Sequence, residues 1–242
     1  MDAERVALIM GAGDGTGAAL VKRFAKGGYI VVAVRRDEAK LASLVDEVGA
    51  SGGRAEGYAA DATREEEVKA LVESVERETA PIQVAIYNVS AFMRGQVTDL
   101  SSQDYRSSWE KSALGGFLMG REVAKRMLTR DNGTILFNSS TASQRGMANY
   151  AALAGGRHAL RALAQSMARE LGPKGLHIAH IIIDGGIDGP QLRERFPDRE
   201  RQVGSDELIK PEDVAEVCWQ LHQQPHSAWT QEIVIRPWTE KW

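Results

Sequence analysis

Five short runs in this chain, VALIM, IVVAV, VAIY, TILF and IAHIII, are apolar at almost every position, and none alternates as a strand with one wet face would. Such runs suit strands covered on both sides, the environment of a parallel sheet. Longer amphipathic stretches separate them: GAALVKRFAKGG, DEAKLASLVDEVGASGG, TREEEVKALVESVERETA, DYRSSWEKSALGGFLMGREVAKRML (residues 104–128) and YAALAGGRHALRALAQSMAREL. A short strand, AEGYAADA, a late helix, KPEDVAEVCWQLHQQ, and a last strand, QEIVIRPW, complete the series. Strand followed by helix throughout predicts an α/β fold of Rossmann type. That is a doubly wound parallel sheet of about seven strands, helices on both faces, in three α/β/α layers. One such domain accounts for all 242 residues, without internal repeat or linker. Thr63 is expected to cap the third helix and Asn149 the helix that begins near Tyr150.

One segment breaks the alternation. Residues 185–205, GGIDGPQLRERFPDRERQVGS, are polar, carry two prolines and lack apolar periodicity. An irregular stretch of that length is usually functional or disordered. It follows a strand end, where open α/β sheets bind ligands, so a substrate lid is expected over 186–207.

The first strand runs directly into IMGAGDGTGAAL, with glycines at 11, 13, 15 and 17 around Asp14 and Thr16. A turn this tight needs residues without a Cβ, and the free N–H groups at the helix start attract a diphosphate. Gly11, Gly13, Asp14, Gly15, Thr16 and Gly17 are therefore the expected phosphate loop. The second strand ends in VAVRRDEAKL, with Arg35 and Arg36 where an acid would hold a ribose 2′-hydroxyl. Guanidinium groups fork onto phosphate, which favours NADP(H) and leaves NAD(H) as the alternative.

Composition bounds the partners. The net charge of −3 gives no basic surplus for nucleic acid. Cys218 is the only cysteine, which fits a reducing cytoplasm. The opening apolar run, five residues long, is too short for a signal peptide or a membrane span. No spacing of His, Cys and carboxylates suggests a metal site, and His177 and His180 read as packing or surface residues.

With these residues in place, the chain resembles the classical short-chain dehydrogenases/reductases over nearly all its length. The family's T-G-x-x-x-G-x-G loop is similar to MGAGDGTG, Met10 standing for the threonine; its N-N-A-G is similar to YNVS, retaining Asn88. Its adenine-contacting aspartate matches Asp61, and its P-G pair after strand six matches Asp184-Gly185. The resemblance implies coenzyme contacts at Asp61, Ala62, Asn88, Gly185 and Ile187. It also implies a small-molecule substrate and a homodimer or homotetramer built through the helices at 104–128 and 150–171.

The family's catalytic residues are a serine, a tyrosine thirteen residues later, a lysine four beyond that, and an asparagine in the preceding long helix. The downstream MAREL fixes the register, since the family's lysine lies thirteen residues before the glutamate, Glu170 here. That places Arg157 at the lysine position, Leu153 at the tyrosine position and Ser140 at the serine position; Ser112 falls at the asparagine position. Arginine can hold ribose hydroxyls as lysine does but cannot shuttle a proton. Tyr150, three residues before Leu153, is the candidate stand-in acid, and a non-helical backbone there would redirect its ring inward. Halohydrin dehalogenases carry a Ser–Tyr–Arg set too, but they lack the glycine loop kept here.

Three readings follow. The first is an NADP(H)-dependent oxidoreductase, acting on a carbonyl, alcohol, imine or activated alkene with Ser140, Tyr150, Arg157 and Ser112 as catalytic residues. The second is a catalytically impaired relative that binds NADP(H) as a sensor or oligomer partner, because Leu153 donates no proton. The third is a lyase or isomerase on the same scaffold.

Overall fold

The computed structural model describes residues 4–89, 91–198 and 207–240. Seven parallel strands form one sheet in the order β3-β2-β1-β4-β5-β6-β7. They are β1 (Val6–Met10), β2 (Ile30–Arg35), β3 (Arg54–Ala59), β4 (Ile82–Tyr87), β5 (Gly133–Ser140), β6 (Leu176–Ile183) and β7 (Glu232–Ile235). The helices are α1 (Thr16–Lys26), α2 (Ala42–Ala50), α3 (Glu65–Glu78), α4 (Ser102–Trp109), α5 (Gly115–Met127), α6 (Ala151–Leu171), α7 (Pro190–Arg195) and α8 (Pro211–His222).

The two-residue period of a strand divides the core. Val6, Leu8 and Met10 face Leu71, Leu118, Val123 and Leu160 from α3, α5 and α6. Ala7 and Ile9 face Leu20, Phe24, Leu44, Val214 and Cys218 from α1, α2 and α8. Only the edge strands β3 and β7 lack buried positions; β3, RAEGYA, is correspondingly polar, whereas β7, EIVI, stays apolar at three of four positions. The strand order reverses between β1 and β4, opening a crevice at the carboxyl edge there.

Three local expectations are corrected. The segment 104–128 is not one α-helix: a π-helical turn, Glu110–Leu114, divides α4 from α5. In that turn the Gly115 N–H donates to the Glu110 carbonyl, which frees the Lys111 carbonyl; the Tyr87 hydroxyl donates to it at 2.5 Å. Burial pushes the Tyr87 phenol above its ordinary range, so it stays a donor. Thr63 does not cap α3. Its Oγ1 donates to Asp61 at 2.8 Å instead, and the extended residue before the helix is Arg64. The lid segment is not wholly irregular, since it contains α7 and a bridge between Ile187 and Ile209; its residues 199–206 lie outside the described residues.

Candidate active site

One cleft of about 1200 Å³ follows the carboxyl edge, from the glycine loop past the ends of β4 and β5 to α7. It exceeds the roughly 300–1,000 Å³ of an ordinary small-molecule pocket, room for a coenzyme and a second molecule. The loop forming one end is held by close approach. Gly11 has φ +100°, and a Cβ there would lie 2.7 Å from the Asn88 carbonyl carbon. Gly13, Gly15, Thr16 and Gly17 line the cleft, and a Cβ on Gly15 would meet nothing within 4 Å. Gly15 also precedes α1 without any side-chain cap; the Ala18 N–H donates to the Gly13 carbonyl at 2.8 Å, and the Thr16 and Gly17 N–H groups are left for an anion. A diphosphate fits that cradle.

Arg35 and Arg36 line the next part, together with Asp61 and Ala62 after the neighbouring strand β3. Asp14 does not line the cleft. Its carboxylate turns to the Arg35 guanidinium at 3.0 Å, and Arg35 also donates to the Lys40 carbonyl, so Arg36 is the less engaged cation. At Asp61, burial raises the carboxyl pKa, but hydrogen bonds from the Thr63 N–H and Oγ1 and the charges of Arg36 and Arg64 outweigh it. The group is held below its usual range.

A row of amides fastens the strand ends beneath the crevice. The Asn88 amide donates to the Gly11 carbonyl and the Asn138 amide to the Asn88 side-chain oxygen, each at 3.0 Å; the Cys218 thiol donates to Asn138 at 3.5 Å. Arg157 reaches the same place from α6. Its guanidinium donates to the Asn138 and Val89 carbonyls, both at 3.2 Å, while Nε has no partner. No carboxylate pairs with it among the described residues. Burial pushes its pKa down, yet a guanidinium stays charged, so a lone cation lines the cleft.

Ser140, Leu153 and Tyr150 line the same wall. The Ser140 Oγ is buried and has no hydrogen-bond partner. Asn149 is not the cap of α6: it has φ +70°, and Tyr150 occupies the cap position with φ −122° and ψ 24°. That non-helical backbone sets the Tyr150 ring edge-on to Phe92, 6.0 Å away. Ser112 is not brought to the cleft. It lies fully buried in the π turn against Gly156, where a Cβ would fall 2.8 Å from Ser112 Cβ. Gly156 therefore serves helix packing.

Gly185 and Ile187 line the cleft after β6. Sequence reasoning assigned no role to the buried Asp184 beside them. Its carboxylate accepts from the Thr141 hydroxyl at 2.6 Å and from Arg236 at 2.8 Å, tying the loop after β5 to the segment after β7. His177 stacks on Trp229, His180 hydrogen-bonds Glu232, and both lie away from the cleft lining. Among the described residues no cluster of His, Cys and carboxylates could hold a metal, and no helix is long and apolar enough to cross a membrane.

Comparison with known proteins matches this geometry to a family. The family model described as short chain dehydrogenase matches residues 5–200. The chain is similar to a short-chain dehydrogenase from Rhodopseudomonas palustris, with 41% identity, a TM-score of 0.84, and coverage of 97% of this chain and 99% of that one. It is similar to a metagenomic short-chain oxidoreductase in complex with NADP, with 25% identity, a TM-score of 0.82 and 96% of each chain covered. It is also 31% identical over 193 residues to the 3beta-hydroxysteroid dehydrogenase of Mediterraneibacter gnavus, covering 79% of this chain and 69% of that protein.

Proposed function

This chain belongs to the short-chain dehydrogenase family, and from that premise we propose that it is an NADP(H)-dependent oxidoreductase with a non-standard proton donor. Its substrate is a small carbonyl, alcohol, imine or activated alkene. The observation that carries this reading is the continuity of one cleft from Arg36, through the glycine cradle, to Ser140, Arg157 and Tyr150. When bound, the coenzyme supplies or accepts the two electrons with a hydride; the protein supplies position and a proton.

The residues divide that work along the cleft. Arg36, with Arg35 shared by Asp14, takes the 2′-phosphate; the cradle at Gly13 and Gly15 takes the diphosphate; Asp61 and Ala62 take the adenine end. Arg157 holds the inner ribose side as a permanent cation. In the reductive direction Ser140 steadies the substrate oxygen with its unpaired hydroxyl, and Tyr150 delivers the proton that completes the alcohol. Leu153 can do neither. The described part of the segment 186–207, residues 186–198, covers the substrate side, where Gly186, Ile187, Leu192 and Phe196 form the cleft wall.

The family's usual assembly has support here too. Tyr105, Trp109 and Phe117 are exposed apolar side chains along α4 and α5, and they share one flank once the wider π turn is allowed for. A homodimer or homotetramer would cover them. Sedimentation of Trp109→Glu should show smaller particles than the parent chain.

The deciding experiment is a tryptophan-fluorescence titration with NADPH and NADH, followed by a carbonyl and imine panel monitored at the NADPH absorbance band. NADPH should bind more tightly than NADH, and Tyr150→Phe and Ser140→Ala should each slow turnover by about 10²-fold or more. Absence of binding would defeat the proposal. Tight binding with no turnover on any substrate would instead leave a coenzyme-binding protein without chemistry.

A further inference from the structure

The half of the cleft beyond the coenzyme residues is walled by aromatic rings from three separate segments. Phe92 follows β4, Tyr150 caps α6 and Phe196 follows α7; all three line the cleft. Phe92 meets Tyr150 at 6.0 Å and 75°, and Phe196 at 6.3 Å and 82°, both edge-to-face. Met147 and Leu153 add apolar lining to the same cleft, which Ser140 also lines. A polyhydroxylated substrate laid on this wall would leave its hydroxyls unpaired, whereas a flat unsaturated ring finds further edges and faces to meet.

One cation completes the wall. The Arg195 guanidinium lies 4.4 Å from the Phe92 ring centroid, and no carboxylate pairs with it among the described residues. The neighbouring lid arginine differs, because Arg193 is paired with Asp188 at 2.6 Å. Arg145 is likewise turned inward, 3.7 Å from Asp184. A guanidinium stacked by one face on a ring keeps its edge N–H donors for an oxyanion in the plane of that stack. Asp198 and Glu240 also line the cleft, so the match is to a single negative charge at Arg195 rather than to a polyanion.

We infer that the substrate is an aromatic carbonyl bearing one negatively charged oxygen substituent. The ring rests on Phe92, Tyr150 and Phe196, the oxyanion meets Arg195, and the carbonyl points toward Ser140. This rests on the oxidoreductase reading of the same cleft. In the reductive direction the carbonyl carbon gains a hydride and its oxygen a proton, giving a secondary alcohol; the two electrons come from NADPH, which leaves as NADP⁺.

The test uses para-acetylbenzoate, acetophenone and the cyclohexane analogue of para-acetylbenzoate, with the parent enzyme, Arg195→Met and Phe92→Leu. In the parent, kcat/KM for para-acetylbenzoate should exceed that for each of the others by about tenfold, the scale of one charged contact or one aromatic wall. Arg195→Met should erase the preference over acetophenone, and Phe92→Leu the preference over the cyclohexane analogue. Para-ethylbenzoate, which has no carbonyl to reduce, gives a readout apart from turnover: its binding to the NADPH-loaded protein should weaken about tenfold in Arg195→Met. Equal rates on all three ketones, or a carboxylate preference that survives Arg195→Met, would overturn the inference while leaving the oxidoreductase reading intact. Failure to bind NADPH at all would remove both.

Discussion

Asp14, in the glycine loop, holds Arg35, at the end of β2, by a contact of 3.0 Å between carboxylate and guanidinium. On the proposed NADP(H) reading, the pair sets a negative charge beside the 2′-phosphate and occupies one of the two cations that would receive it. Asp14→Asn should therefore tighten NADPH binding by about threefold, a modest gain because Asp14 is largely exposed and water screens it. NADH, lacking the 2′-phosphate, should gain less. Fluorescence titrations with both coenzymes at low and high salt check this, and the difference should shrink as salt rises.

Arg36 is the less engaged cation of the pair, and its charge helps hold the Asp61 carboxyl, after the neighbouring strand, below its usual range. Arg36→Ser should weaken NADPH by about tenfold or more and leave NADH within about twofold, reversing or erasing the preference. A parallel loss for both coenzymes would mean that Arg36 acts on the shape of the loop rather than on the phosphate.

Arg157 sets function against stability. Arg157→Met removes two hydrogen bonds to neutral carbonyls, a loss of about 1–3 kcal/mol for each carbonyl left unpaired. It also removes a buried cation with no carboxylate partner among the described residues, which relieves a desolvation penalty of several kcal/mol. The two terms are similar, so thermal unfolding should shift by only a few degrees while NADPH affinity falls about tenfold or more. A collapse of Tm that Arg157→Lys repairs would assign the side chain to the fold alone.

Acid should weaken the fold through two histidines, the buried His180 and the half-buried His222. Burial, the largest cause in each case, pushes His180 and His222 down to about 4. Their ordinary value in an unfolded chain is near 6.5. Between those values the unfolded chain binds protons that the folded chain excludes, so stability is complete above the unfolded value and falls as pH drops toward 4. At pH 5 each histidine should account for about 2 kcal/mol of that loss. His222 lies between the Tyr29 hydroxyl at 2.6 Å and the Thr134 hydroxyl at 2.9 Å, contacts that a glutamine amide can partly replace. Chemical denaturation at pH 7.5 and pH 5 should show a smaller difference for His222→Gln than for the parent chain.

What the sequence disclosed was what local chemistry decides. The unbroken apolar strands announced a sheet covered on both faces, and the glycine loop announced its own turn, because neither depends on a distant partner. Leu153 and Arg157 share one wall because a spacing of four fixes their relation on a helix. Contacts across the fold were hidden. The π turn around Ser112 is supported at the Lys111 carbonyl by the hydroxyl of Tyr87, 24 residues before Lys111. Asp184 finds Arg236 across 52 residues, and Arg195 meets Phe92 from a segment far along the chain. Thr63 misled for a related reason: a hydroxyl suited to capping a helix had a nearer acceptor in Asp61. The direction of the Tyr150 ring likewise depended on one backbone angle that periodicity does not determine.

Leu153 offers the sharpest test of how protons move in this cleft. It is 8% exposed, lines the wall with Ser140, and lies one helical turn before Arg157. Leu153→Tyr would place a phenol there, with a permanent cation next to it to favour the ionised form and lower its pKa. If proton delivery limits the present enzyme, the variant should turn over about tenfold faster or more, within the 10²–10⁴ that general acid catalysis supplies. The gain should carry a new ionisation in the pH profile of kcat, and it should make Tyr150→Phe harmless in the double variant. If Leu153→Tyr runs no faster and keeps the parent's pH profile, then Tyr150 already delivers the proton efficiently, or another step sets the rate. Stopped-flow measurement of the first turnover separates those two: a fast burst places the limit in product release, and its absence places it in the chemistry that Tyr150 serves.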